Sequence, residues 1–407
     1  MKKIKKLINT PLYSLYLGHF LAQFDSAFMI MVIPLLSKTL FLESNNLISS
    51  SLKSYGFIPL SALLKLFGGI FFSWCLFKHE AGKIFRYSLF SLGCLGILFG
   101  VLGTTSISST PLIVVCLISI GLFKFFLSAE KAASLLYLLE DDTSNSHSIF
   151  FYQFVSLGAF TLSGCIFQFF DINRILANIP ILYFFLGCLF ILICWFKIPS
   201  SNKKPKDPIT FHSCINLLQN HYWLFLSLIL LFGIDQFTYL FAMNLSGTLY
   251  ESFHPSYPLK EMNFFFLLID FALLPIIGTF FKNKDPFLAL KNNLYSQIIV
   301  YPIGLYYLTR CSIVGFFFWR VLFILLGLVF SLSLMRIIKN HLDRSLLFTI
   351  FIAKSIGTLA ITSPLLSVLI TTFFQRSLQL SPYLVLIGIS TCGLFFSKVL
   401  HQRARFS

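Results

Sequence analysis

Charge is what this sequence has least of. Asp, Glu, Lys and Arg make up 11% of its 407 residues, and only 15 side chains are acidic, where ordinary soluble domains are roughly a quarter charged. No stretch is polar enough to form an independent soluble domain longer than a loop, which excludes the architectures of soluble enzymes. The nine cysteines form no CxxC pair and stand beside no histidine cluster, so neither a disulfide framework nor a zinc site is expected. Most lie inside apolar runs, as small apolar residues. Also missing are a GxxxxGK[ST] loop for nucleotide phosphates and the HExxH and GxSxG hydrolase motifs. The chain is therefore expected not to be an enzyme, and to need no cofactor and no metal.

What the sequence has in abundance is apolar surface: 57% hydrophobic residues, among them 51 Phe, with 16 Tyr. A helix needs about 20 mostly apolar residues to span a hydrocarbon core, and twelve such runs can be placed. They are Tyr13–Leu36, Ser54–Phe77, Ile84–Gly103, Pro111–Glu130, Ser148–Phe170 and Ile179–Phe196, then Tyr222–Ser246, Met262–Phe281, Phe287–Leu308, Ser312–Met335, Ser345–Ile370 and Pro382–Leu400. The fourth stays helix-prone through Leu139. The expected fold class is an all-α polytopic membrane protein of twelve transmembrane helices in two six-helix halves.

A net charge of +16 could point to nucleic acid, but the basic residues sit in short clusters between apolar runs. Lys2, Lys3, Lys5 and Lys6 precede a first span too long for a secretory signal. With that terminus inside, 21 of the 31 Lys and Arg fall in inner segments, 6 in outer loops and 4 within helices. That excess follows the positive-inside rule and places both termini in the cytoplasm. The partner is the lipid bilayer; no nucleic acid is expected.

The longest polar segment, Lys197–Asn220, contains Lys203-Lys204-Pro205-Lys206-Asp207-Pro208. Proline and like charge keep such a stretch extended. It divides the chain into an N-terminal half, 1–196, a cytoplasmic linker, 197–220, and a C-terminal half, 221–407. It reads equally as a plain loop or as a joint between two moving halves.

Seven ionisable side chains lie well inside the spans: Asp25, Lys65, Lys124, Asp235, Asp270, Arg320 and Lys354. A charge at the bilayer centre costs at least about 2.5 to 3.5 kcal/mol, so such residues face a protein interior or a watery cavity and often carry function. The first and seventh helices each hold an Asp near mid-span, and the fourth and tenth hold Lys124 and Arg320. Such repetition fits a duplicated bundle with binding between its repeats. Ion pairs between these groups can re-form differently in two states, and a carboxylate can be neutralised by a proton. Asp25, then Asp235, with Asp270, are the candidates for proton coupling. Lys124, Arg320 and Lys354 are candidates for holding a substrate carboxylate or switching ion pairs, Arg320 being suited to bidentate contact. Polar residues also share faces: His19, Gln23 and Ser26 on the first helix, Ser227, Asp235 and Thr238 on the seventh, Lys354, Thr358 and Thr362 on the eleventh. For the hydroxyls, hydrogen bonds between packed helices are the plainer explanation.

These residues resemble the metabolite:proton symporter family of the major facilitator superfamily, which includes proline/betaine and ketoglutarate permeases. The resemblance covers most of the chain. Phe24-Asp25-Ser26-Ala27, with Pro34-Leu35-Leu36-Ser37-Lys38 and Phe41 after it, is similar to the family's Tyr-Asp-Phe, Ala-Pro and Leu-Ser-Lys pattern. Lys65-Leu66-Phe67-Gly68-Gly69 resembles Arg-Pro-x-Gly-Gly. Ser128-Ala129-Glu130 and Glu140 sit where the family has Gly-Gly-Glu and a second Glu, and Ser355-Ile356-Gly357 and Ser363-Pro364 also fit. The superfamily's loop after the second helix is reduced to Phe77-Lys78-His79-Glu80-Ala81-Gly82-Lys83, and Ile120 stands where Arg is expected, with Lys124 one turn on.

The resemblance implies the major facilitator fold, a monomer, and import of a small solute with a proton. That solute would be a carboxylate or zwitterion such as proline, betaine or a dicarboxylate. Lys65 and Glu130 are the implied gating residues. A bacterial inner membrane fits the abundance of Phe, Ile, Lys and Asn. The reduced loop and the phenylalanine content leave two alternatives, a drug or lipid exporter of the same fold and a membrane protein that no longer transports.

Overall fold

In hydrocarbon, backbone N–H and C=O groups have no water to bond, so a chain this apolar satisfies them within helices. The computed structural model describes residues 12–40, 63–76, 78–103, 110–140, 147–196, 216, 218–240, 250, 263–281, 283–308, 310, 312–342, 346–362 and 381–404. Among these residues there is no strand, and twelve long helices follow one another. They are α1 Leu12–Leu40, α2 Leu63–Leu76, α3 Ala81–Gly103, α4 Thr110–Glu140, α5 His147–Phe169 and α6 Ile172–Cys194. Then come α7 Tyr222–Leu240, α8 Asn263–Phe281, α9 Pro286–Leu308, α10 Ile313–His341, α11 Leu347–Thr362 and α12 Ser381–Ala404. The outer parts of the expected second, seventh and eleventh spans lie outside the described residues, as do Phe77 and the midpoint segment 197–215.

Several helices run past their apolar spans, α6 and α10 among them. Helix α6 begins at Ile172 rather than Ile179. Its polar first turns, with Arg174 and Asn178, hide the start from a search for apolar runs, and Pro180 sits inside the helix instead of opening it. Helix α10 runs on to His341, past Arg336, with Lys339 and His341 in its last turn, where cations offset the helix dipole. Arg336 is accommodated because its guanidinium donates to the carbonyl of Phe281, at the open C-terminal end of α8. Starts are capped as the sequence directs: Ser312 opens α10, accepting from the Gly315 N–H, and Asp285 accepts from the Phe287 N–H with Pro286 as the first residue of α9.

Burial runs in stripes that only lipid can tolerate. On α3, Leu89, Leu92, Gly93, Gly96 and Gly100 face inward while Phe90, Leu98 and Val101 are about half exposed, a continuous apolar outer face of the kind a bilayer covers. This is a multi-pass membrane protein.

The chain divides into two compact units, Met1–Asp142 with Gly158–Ile215, and Thr143–Leu157 with Asn216–Ser407. In the first, α3 and α6 pack most closely, because small residues let their backbones meet. A Cβ on Gly187 would stand 2.6 Å from both the Gly93 carbonyl oxygen and the Ile97 nitrogen. These are backbone atoms that cannot swing aside, so Gly187→Ala is expected to destabilise by about 1–3 kcal/mol through overpacking. Gly388→Ala, with nothing within 4 Å, is the neutral control, and thermal unfolding in detergent compares them. Helices α2 and α4 meet in the same way, with Gly68 against the Phe125 backbone. In the second unit, α11 packs on α7 through Gly357, and α9 on α12 through Gly393. Phe266 stacks on Phe317 between α8 and α10, and the first half of α5 joins this unit through Phe154 against Phe271, 4.4 Å apart.

Candidate functional site

In the first unit, α1, α4 and α6 bring three mid-span polar side chains together. Lys124 Nζ lies 3.1 Å from Asp25 Oδ2, and the Tyr183 hydroxyl donates to Asp25 Oδ1 at 2.7 Å. Both carboxylate oxygens are thus engaged. Asp25 is 0% exposed and Lys124 9%. Tyr183 is held edge-on against Phe99, with Phe123 beyond it, so its hydroxyl cannot leave the carboxylate without repacking. A buried pair of this kind is a poor source of stability, because desolvation offsets its Coulombic gain. What it supplies is two charges that must stay matched in the dry state. Tyr183→Phe keeps the ring packing and removes one hydrogen bond to a charged acceptor, worth about 1.5–3 kcal/mol; a lowered unfolding midpoint is the expected outcome.

A second cluster lies toward the amino end of α1. His19 Nδ1 is 3.1 Å from Glu130 Oε1, to which Ser134 Oγ also donates at 2.7 Å, and His19 and Glu130 are both 0% exposed. Lys131 Nζ donates to Gln23 Oε1, so it is the Gln23 amide NH₂ that faces His19 Nε2, at 3.4 Å. In that arrangement Nε2 accepts, and Nδ1–H faces Glu130 as donor. Six residues separate the paired positions on each helix, His19 from Asp25 and Lys124 from Glu130, as antiparallel α1 and α4 require.

In the second unit, Asp235 of α7 is hydrogen-bonded by Ser331 of α10 and by Gln236, and its nearby cation is Lys354 of α11. Lys354 also lies 5.8 Å from the Phe232 ring, and Gln153 donates to Ser331 Oγ at 3.0 Å. The nearby cation thus differs between the units: Lys124 pairs with Asp25 from α4, whereas the cation near Asp235 is Lys354, from α11. Arg320 is fully buried with its guanidinium over the Phe266 ring at 3.9 Å, a cation–π contact in a desolvated seam. Asp270, on the same helix as Phe266, is 1% exposed, and neither carboxylate oxygen has a hydrogen-bond partner among the described residues.

Lys65 is half-buried on α2, and its carbonyl accepts from Ser128 Oγ of α4. Ser227 and Thr238 bond carbonyls of their own helix. The side chains of Glu140, Thr358 and Thr362 lie outside the described residues. In the short α2–α3 connection, Lys83 pairs with Glu80 at 3.7 Å and Lys78 covers the Trp74 ring at 4.2 Å. Tyr183, Ser331 and Gln153 went unnoticed in the sequence; none carries a charge that would single it out. Among the described residues, no three His, Cys, Asp or Glu side chains gather as a metal site.

No family model matches the sequence, and no curated protein does. Solved structures do match over nearly the whole chain. A double-tryptophan mutant of XylE superposes with a TM-score of 0.72 at 11% identity, covering 95% of this chain and 94% of that one; XylE is described elsewhere as a major facilitator superfamily proton:xylose symporter. The human organic anion transporter MFSD10 gives 0.71 at 14% identity, over 95% and 98% of the two chains. A bacterial homologue of the iron transporter ferroportin, in an outward-facing state, gives 0.66 at 13%, over 98% and 100%. The chain has the major facilitator fold, with twelve helices in two six-helix halves.

Proposed function

We propose that this protein is a secondary active transporter importing a small organic solute by proton-coupled alternating access. The observation that carries the proposal is the buried Asp25–Lys124 pair, with Tyr183 on the second carboxylate oxygen. Three helices converge to bury charges that cost less in water, and such intramembrane charges mark solute and proton pathways. A solute carboxylate that takes over Lys124 leaves Asp25 without its cation, to be neutralised by a proton. The two then travel together. Asp235 with Lys354 forms the corresponding device in the second unit, Asp270 is a third proton-binding candidate, and Arg320 offers a bidentate carboxylate contact.

Several features support this reading. The neighbours' own descriptions include a proton symporter and an organic anion transporter. The resemblance of Phe24–Ala27 and Lys65–Gly69 to metabolite:proton symporters points to proline, betaine or a dicarboxylate as the solute class. Residues 1–196 and 221–407 are then the moving halves, 197–220 the linker between them, and Lys65 and Glu130 gate residues. The protein works as a monomer in a bacterial inner membrane, with both termini in the cytoplasm.

Solute-dependent alkalinisation tests the coupling. Proline, glycine betaine or ketoglutarate is added to weakly buffered proteoliposomes, and the external pH is followed. A rise with one of them, absent in empty vesicles, is expected; no change with any, from folded protein, favours export or a non-transporting role.

A further inference from the structure

We propose that the His19–Glu130 pair is a second proton-binding station, serving Asp25 from the side of the membrane where α1 begins. The inference rests on proton coupling through Asp25 and adds to it the route by which the proton leaves.

Three observations carry it. Glu130 is fully buried, and among the described residues its Oε1 is occupied, by His19 and Ser134, while its Oε2 is buried without a hydrogen-bond partner. A carboxylate so placed has an open seat for a proton that requires no other group to move. The second observation is register. Six residues from Asp25 to His19 amount to a rise of about 9 Å along the helix, and both pairs bridge α1 to α4.

The third is charge. The charged and titratable groups along this seam include Asp25 on α1, Lys124 and Lys131 on α4, and Tyr183 on α6. Against Gly18, α3 places the apolar Phe85 and Leu89. With His19 neutral, Asp25 and Glu130 are balanced on α4 by Lys124 and Lys131. When Asp25 is protonated the seam carries one surplus positive charge, and moving that proton to Glu130 leaves the total unchanged. The step balances: the Asp25 carboxyl loses its proton and re-pairs with Lys124, and Glu130 Oε2 gains it, relayed by water. Glu130 then loses it to solvent at the amino end of α1. His19 is a positioning residue, holding the other oxygen through Nδ1–H.

Infrared difference spectroscopy of reconstituted protein, titrated from alkaline to acid pH, reads this directly. A protonated-carboxyl band that shifts when the wild-type protein carries isotope-labelled glutamate, and that is lost in Glu130→Gln, is expected. Asp25→Asn is expected to remove a different band. His19→Asn is expected to move the titration midpoint of the Glu130 band and leave the Asp25 band in place. Gradient-driven uptake is expected to fall at least tenfold in Glu130→Gln. A wild-type spectrum indifferent to glutamate labelling, or uptake unaffected by Glu130→Gln, overturns the second station. Uptake still driven by the gradient in Asp25→Asn overturns the underlying coupling instead, so the two failures are distinct. A wild-type spectrum indifferent to glutamate labelling overturns the proposal even if the substituted proteins fail to fold.

Discussion

Asp25→Asn and Lys124→Met are each expected to lower the unfolding midpoint sharply, while the double substitution restores most of it. The pair is 3.1 Å apart and buried. Removing one member strands the other as an uncompensated charge, at a cost of about 3–5 kcal/mol, whereas neutralising both is close to neutral. In Asp25→Asn the Tyr183 hydroxyl still finds an acceptor in the amide oxygen, so the loss reports the stranded Lys124. The same three proteins separate stability from function. The double variant is expected to fold and to lose concentrative uptake as completely as either single one. Thermal unfolding in detergent and uptake into proteoliposomes check the two halves of this statement. Additive losses in the double variant, instead of recovery, mean that the ion pair is not the interaction that couples these positions.

Asp270→Leu should move stability in the opposite direction. The carboxyl is 1% exposed and neither oxygen has a hydrogen-bond partner among the described residues. Burying a polar group without a partner costs about 1–3 kcal/mol, and an ionised one more. An apolar side chain of similar size relieves that cost, so the midpoint is expected to rise. If Asp270 takes part in proton coupling, accumulation falls in the same variant, a gain in stability traded for function. A lowered midpoint contradicts the apolar surroundings assigned to it here.

Much of this was legible in the sequence, and what was not has physical reasons. The twelve helices follow from apolar runs of spanning length, since hydrocarbon leaves the backbone no alternative. Their ends depend on polar turns and caps, which is why α6 starts seven residues earlier than its apolar run and α10 continues past Arg336. The mid-span charges announced themselves by their cost. Their partners did not: that Asp25 meets Lys124 while the cation near Asp235 is Lys354 depends on which helices pack together. One signal was available, the equal six-residue spacing of His19 with Asp25 and of Lys124 with Glu130. On antiparallel helices that spacing brings both pairs into register. Tyr183 had no such signal, because a tyrosine among 16 in an aromatic-rich chain is unremarked until its hydroxyl is seen against a carboxylate.

The most direct test is uptake of radiolabelled proline, glycine betaine and ketoglutarate into proteoliposomes, with and without an imposed inward proton gradient, for the wild type and for Asp25→Asn. Accumulation of one solute above equilibrium, dependent on the gradient and absent from Asp25→Asn while exchange persists, is the expected result. Accumulation that ignores the gradient, or that survives Asp25→Asn, contradicts proton coupling through this carboxylate.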